Sequence, residues 1–137
     1  MAQRPIAEDL IRHTAGGPRL LGGRRRSDGK VVFPLPQGGE RAQYEAMELA
    51  GEGTLWSFTV QRFRPKSPPY AGADTDQSFK PFALGYVELA GQVIVESRLK
   101  VEDFADLKVG MPMRMTEVAF PTVSDPDTVT YAFEPVA

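Results

Sequence analysis

Between Gly51 and Pro65 the side chains alternate in character, with Trp56, Phe58 and Val60 at even positions and Ser57, Thr59 and Gln61 at odd ones. A period of two is what a β-strand with one buried face requires, and this is the longest such run in the chain. It also carries the only tryptophan. The run predicts a founding strand whose Trp56, Phe58 and Val60 face fills a β core.

The remaining strand signals follow in order. Phe82–Leu89 and Gln92–Leu99 flank Ala90-Gly91, whose spacing predicts a hairpin. Val101–Val109 changes period: Phe104 and Leu107 lie three apart, Glu102 and Asp103 stand in front, and Gly110 closes a helical turn. Met111–Phe120 is a fourth strand, Ser124–Asp127 a turn, and Thr128–Glu134 a fifth strand with Val129, Tyr131 and Phe133 on one face. Met113 and Met115 share a face and are expected in the core. Three strands, a helical turn and two strands match the OB-fold, a partly open five-stranded barrel, better than a seven-stranded sandwich.

Ahead of the barrel, residues 5–14 predict a short helix, with Pro5 in its first turn, Glu8 and Asp9 at its positive end and Gly16-Gly17-Pro18 stopping it. Its narrow apolar edge, Ile6, Leu10 and Ile11, requires docking on the barrel or on another subunit. His13 then caps the helix C-terminus. From Leu20 to Pro34 two apolar pairs flank Asp28-Gly29, the signal of a two-stranded ribbon, and Ala42–Leu49 offers a further short strand. The expected division is 1–18 helical segment, 19–49 ribbon-like hairpin and 50–137 barrel. A connection as long as 65–80 inside a compact domain points to function or mobility.

At 137 residues the chain is long enough to fold without staples, burying roughly two-thirds of its unfolded surface. It has no cysteine and one histidine, which removes disulfides, thiolate nucleophiles and cysteine-based metal centres and leaves no catalytic triad to assemble. Asp74, Asp76, Asp125 and Asp127 fall in turns, where aspartate is expected on conformational grounds. With 16 basic against 18 acidic residues and a pI near 5.4, no global field draws the chain to nucleic acid or anionic membrane. No apolar run approaches the roughly 20 residues of a membrane span, and the N-terminus lacks a secretory signal, so a cytoplasmic location is expected.

Gly23-Arg24, Gly29, Phe33-Pro34, Gly51–Val60, Pro69-Tyr70, Pro81–Leu89, Gly110 with Met113, and Phe133-Glu134-Pro135 together resemble the OB-fold acyl-CoA-associated protein family. Members carry an N-terminal helical segment, a rubredoxin-like zinc ribbon and a C-terminal OB-fold. Where the family places its first Cys-x-x-Cys pair before a glycine, this chain has Arg25 and Asp28 before Gly29. An Arg/Asp bridge contributes about 0–1 kcal/mol when exposed, against the several that zinc supplies. The resemblance therefore implies a degenerate, metal-free ribbon, looser than its relatives or held by a partner. It also implies a non-catalytic companion of a thiolase-superfamily enzyme in a hetero-oligomer, with no catalytic residues to carry over and no cofactor of its own. Acyl-CoA would enter only at the complex with that partner.

Two basic groups are candidate sites for coenzyme A phosphates or for the partner. Arg24, Arg26 and Lys30 cluster at the ribbon tip with Arg25, although alternation along a strand argues against consecutive arginines meeting one ligand. Arg62 and Arg64 leave the barrel beside Phe63. Basic residues interleaved with aromatics also suit single-stranded nucleic acid, which the acidic pI argues against. A free-standing acyl-CoA binder is the third reading.

Overall fold

A computed structural model describes residues 4–5, 10–63, 79–120 and 127–136. Its strands are β1 (Arg4–Pro5), β2 (Ile11–Thr14), β3 (Gly17–Arg25), β4 (Val31–Val32), β5 (Tyr44–Glu48), β6 (Glu52–Gln61), β7 (Phe82–Leu89), β8 (Val93–Leu99), β9 (Pro112–Ala119) and β10 (Thr128–Pro135). Strands β6, β7, β8, β10 and β9 close on one another in that order. All neighbours are antiparallel except β10 and β8, which run parallel with Phe133 opposite Leu99. This is the five-stranded OB barrel expected from the order of elements, and the hairpin across Gly91 (φ 75°) is as predicted.

The segment before β9 is a 3₁₀ turn, Phe104–Asp106, started by the Asp103 carboxylate accepting from the Ala105 N–H. Leu107, just after it, is buried in the barrel core, and β6 and β9 pair only over Glu52–Thr54. The Gly110 N–H donates to the Leu55 carbonyl at 2.7 Å and the Leu55 N–H to the Met111 carbonyl at 2.9 Å, closing the gap left there. Met113 and Met115 are buried with Leu55, Val87, Leu89, Val95 and Phe133, as their shared face predicts.

Founding strand β6 departs from simple alternation. Leu55 lies opposite Val87 but Ser57 lies opposite Tyr86, so the register slips by one residue at Trp56. A β-bulge reverses the parity of everything after it. Before the bulge Leu55 points inward; after it Phe58 packs on the core; Trp56, the extra residue, is left 59% exposed on the outside. The expectation that Trp56 shares the core face is therefore overturned by a single inserted residue.

The N-terminal helix is also overturned. Ile11–Thr14 is a strand, antiparallel to β3 with Ile11 opposite Leu20 and Thr14 opposite Gly17, while residues 6–9 lie outside the described residues. The hairpin turn is Ala15-Gly16, and Gly17, at φ 114°, opens β3 opposite Thr14, so the glycines serve a hairpin and not a helix stop. His13 accordingly is no helix cap: its Nε2 lies 2.8 Å from the Glu117 carboxylate on β9. Strand β3 continues to pair with β4 and β5, so the ribbon and the predicted extra strand form one small sheet.

That sheet has a core after all. Ile11, Leu20 and Leu49 belong to the same buried cluster as the barrel residues Leu55 and Met113, and Leu21, Leu35 and Tyr44 form a second cluster inside the sheet. Phe33 meets Tyr131 of β10 edge-on, with ring centroids 5.5 Å apart. The ribbon is thus seated on the barrel by apolar burial, where its sequence had suggested a loose or partner-held element. Among the described residues no helix is long and apolar enough to cross a membrane.

Candidate functional site

The ribbon tip is built by the Asp28-Gly29 turn. Gly29 takes φ 76°, a conformation L side chains rarely adopt, and its N–H donates to the Arg25 carbonyl at 2.7 Å. The Arg25 guanidinium grips the Asp28 carboxylate with two bonds, Nε to Oδ1 at 3.0 Å and Nη2 to Oδ2 at 2.7 Å, and the Lys30 N–H adds a third at 3.1 Å. The Arg25 bond, with help from Lys30, holds the Asp28 carboxyl down at about 2. In turn Asp28 raises Arg25 further above its already high value. An ion pair therefore spans the two knuckle positions that carry cysteines in the resembled family.

Of the expected ribbon-tip contacts, Arg24 and Arg26 border one concavity of about 290 Å³ together with Arg25, Gly29 and Glu45. Strand β3 ends at Arg25, so the alternation that should have separated the three arginines stops there. Lys30 is exposed and does not line this space. The Arg26 Nε donates to the Ala42 carbonyl at 3.3 Å and its Nη1 lies 3.8 Å from Glu45, whereas Arg24 has no ion pair among the described residues. Any anion entering here meets the Glu45 carboxylate as well as the guanidinium groups.

Arg62 lies past the end of β6, with its guanidinium carbon 6.0 Å from the Phe104 ring, at the limit of a cation–π contact. Neighbouring Phe63 is 81% exposed. Arg64 and most of the 65–80 connection, with Asp74 and Asp76, lie outside the described residues, as does Asp125. No contact among the described residues joins Arg62 to the ribbon tip. A broad cleft of about 860 Å³ opens at the barrel end between Lys100, Glu102, Met111 and Arg114, with Arg114 bound to Glu134 at 2.8 Å. No set of three His, Asp or Glu residues that would hold a metal occurs among the described residues.

The outer face of β6–β8 carries a group that the sequence reading missed. Trp56 and Tyr86 stand edge to face, centroids 6.5 Å apart and planes at 88°. Tyr86 stands opposite Glu96 on the facing strand, and hydrogen bonding to that carboxylate, together with its charge, raises the tyrosine's pKa. Two pairs further from the turn, on the same face, Leu84 faces Arg98, whose guanidinium carbon sits 3.7 Å from the Phe82 centroid and 4.6 Å from that of Phe120. The Ala90-Gly91 turn alone does not give these neighbours: a two-residue turn would set Tyr86 opposite Val95, whereas the loop spans residues 90–92 and pairs Leu89 with Val93 and Tyr86 with Glu96.

Residues 46–117, more than half of the chain, match the family described as ChsH2, C-terminal OB-fold domain. The stretch runs from β5 through β9. No curated protein matches the chain. Among solved structures, one described as an Ltp2-ChsH2(DUF35) aldolase is similar to this chain at 20% identity and a TM-score of 0.59, covering 87% of this chain and 86% of that one. The likeness reaches well beyond the family match and so takes in the small N-terminal sheet as well as the barrel. With its closed five-stranded barrel and that match, the chain belongs to the ChsH2 OB-fold family.

Proposed function

We propose that this protein is a non-catalytic accessory subunit that binds a thiolase-superfamily, acyl-CoA-handling enzyme in the cytoplasm and helps form its complex or substrate channel. The observation that carries the reading is the extent of the likeness to the Ltp2-ChsH2(DUF35) aldolase, 87% of this chain against 86% of that one, in a protein named for a ChsH2 chain together with Ltp2. A non-catalytic role is supported by the side-chain inventory: the one histidine is bonded to Glu117, and there is no cysteine.

In this reading the ribbon-like sheet, residues 19–49, and the barrel, residues 50–137, have separate tasks. Arg24, Arg26 and Lys30 contact the partner or the phosphates of its coenzyme A, and Arg62 and Arg64 border its substrate entrance. Glu45, close to Arg26, favours a protein surface over a bare phosphate. Against single-stranded nucleic acid stand Glu88 and Glu96, exposed on the strand face where an OB-fold would stack bases.

Co-expression with a genomically adjacent thiolase-superfamily enzyme, followed by size-exclusion chromatography, tests the proposal. The expected result is a stable hetero-oligomer in which the partner's activity depends on this chain. A monodisperse monomer with no affinity for any such enzyme overturns it.

A further inference from the structure

The exposed side of the β6–β8 sheet is divided in its chemistry. At one end the chain seats its own Arg98 guanidinium against Phe82 and Phe120. At the other end Trp56 and Tyr86 form an aromatic corner with no cation of the described residues against either ring. Trp56 is 59% exposed, Tyr86 43% and Ile94 42%, and they occupy neighbouring positions: Ser57 beside the bulge pairs with Tyr86, Tyr86 with Glu96, and Glu88 with Ile94. The charged side chains in these pairs are both glutamates, with Glu96 directly opposite Tyr86.

Each part of this arrangement selects the same occupant. Large exposed aromatics are the side chains that most often dominate a protein interface once desolvated. A ring face attracts a cation electrostatically, and adjacent carboxylates add to the attraction while repelling an acidic surface. A guanidinium satisfies both demands, since its plane stacks on a ring while its edge donates to a carboxylate. Arg98 shows the stacking half of that geometry on the same sheet.

We infer that the Trp56–Tyr86 corner, flanked by Glu88 and Glu96, is the docking surface for a basic segment of the protein partner, seating one of its arginine side chains. The identity of the partner rests on the accessory-subunit reading; the chemistry of the surface does not.

Because Trp56 is the only tryptophan, its emission reads the corner directly. The full chain is titrated with octa-arginine and, in parallel, with octa-glutamate. Octa-arginine is expected to change Trp56 emission saturably, octa-glutamate to leave it unchanged, and the E88Q/E96Q double variant to bind octa-arginine at least tenfold more weakly. An emission unmoved by octa-arginine, or moved equally in the double variant, overturns the inference. So does a shift that appears on concentrating the chain alone, which would make a second copy the occupant.

The same variants are then tested against the partner recovered by co-expression, with W56A and W56F added and folding checked by coincident melting curves. At least a tenfold loss of affinity for W56A and for E88Q/E96Q, with a smaller loss for W56F, supports the inference. A partner held equally by wild type and variants overturns the docking surface and leaves the accessory role standing. Absence of any partner overturns the accessory role, and the peptide titration still decides the surface.

Discussion

Gly85 lies in the middle of β7 with no room above its Cα. A Cβ built there would stand 2.8 Å from the Ser57 carbonyl oxygen and 2.8 Å from Leu99 Cδ1. The first of these is backbone, held by the pairing of β6 with β7, so it has little freedom to yield. G85A is expected to cost about 1–3 kcal/mol of unfolding free energy, read from urea denaturation. Asp28 offers a second test at this scale. Its carboxyl falls from 3.8 to about 2 through the Arg25 bond, so its contribution is fully present above 3.8 and is lost as pH drops through about 2. In D28N, which retains an acceptor for the Lys30 N–H, the deficit in melting temperature relative to wild type should be constant from neutral pH down to 3.8 and vanish near 2.

At the scale of the element, the bulge in β6 makes an unusual prediction. Removing Trp56 leaves Leu55 inward, Ser57 outward and Phe58 inward, an unbroken alternation, so the deletion variant should fold with a melting temperature near wild type. Deleting Thr59 instead turns Val60 out of phase and should abolish cooperative melting in circular dichroism. The bulge was invisible in sequence because Trp56, Phe58 and Val60 keep an even spacing whether or not a residue is inserted between Leu55 and Ser57. By contrast the hairpin of β7 and β8 was legible, since both keep strict alternation and a glycine sits between them, although β8 starts at Val93 and not at Gln92. The N-terminal residues misled for another reason: glycines at 16 and 17 suit a helix stop and the end of a hairpin turn equally well, and only Leu20, 0% exposed opposite Ile11, decides between them. Among site residues, the Arg25–Asp28 bridge followed from the resemblance, which set both residues at the positions of the first cysteine pair, whereas the Trp56–Tyr86 corner needed the bulge to exist.

For the whole molecule the decisive fact is that the sheet and the barrel share Ile11, Leu20, Leu49, Leu55 and Met113 in one buried cluster. Two units with a common core unfold together. L20A, a change confined to the sheet, should therefore lower the midpoint seen by Trp56 emission in the barrel and by far-UV circular dichroism to the same extent, at a cost of about 2–5 kcal/mol. Separate midpoints would mean that the sheet melts on its own. A metal-built ribbon is only as durable as its supply of zinc and the reduced state of its thiols. Here the corresponding knuckle is a carboxylate gripping a guanidinium, and the sheet behind it is anchored by leucine and isoleucine. That knuckle holds no metal to chelate and no thiol to oxidise, so its shape does not depend on zinc supply or on the redox state of cysteines.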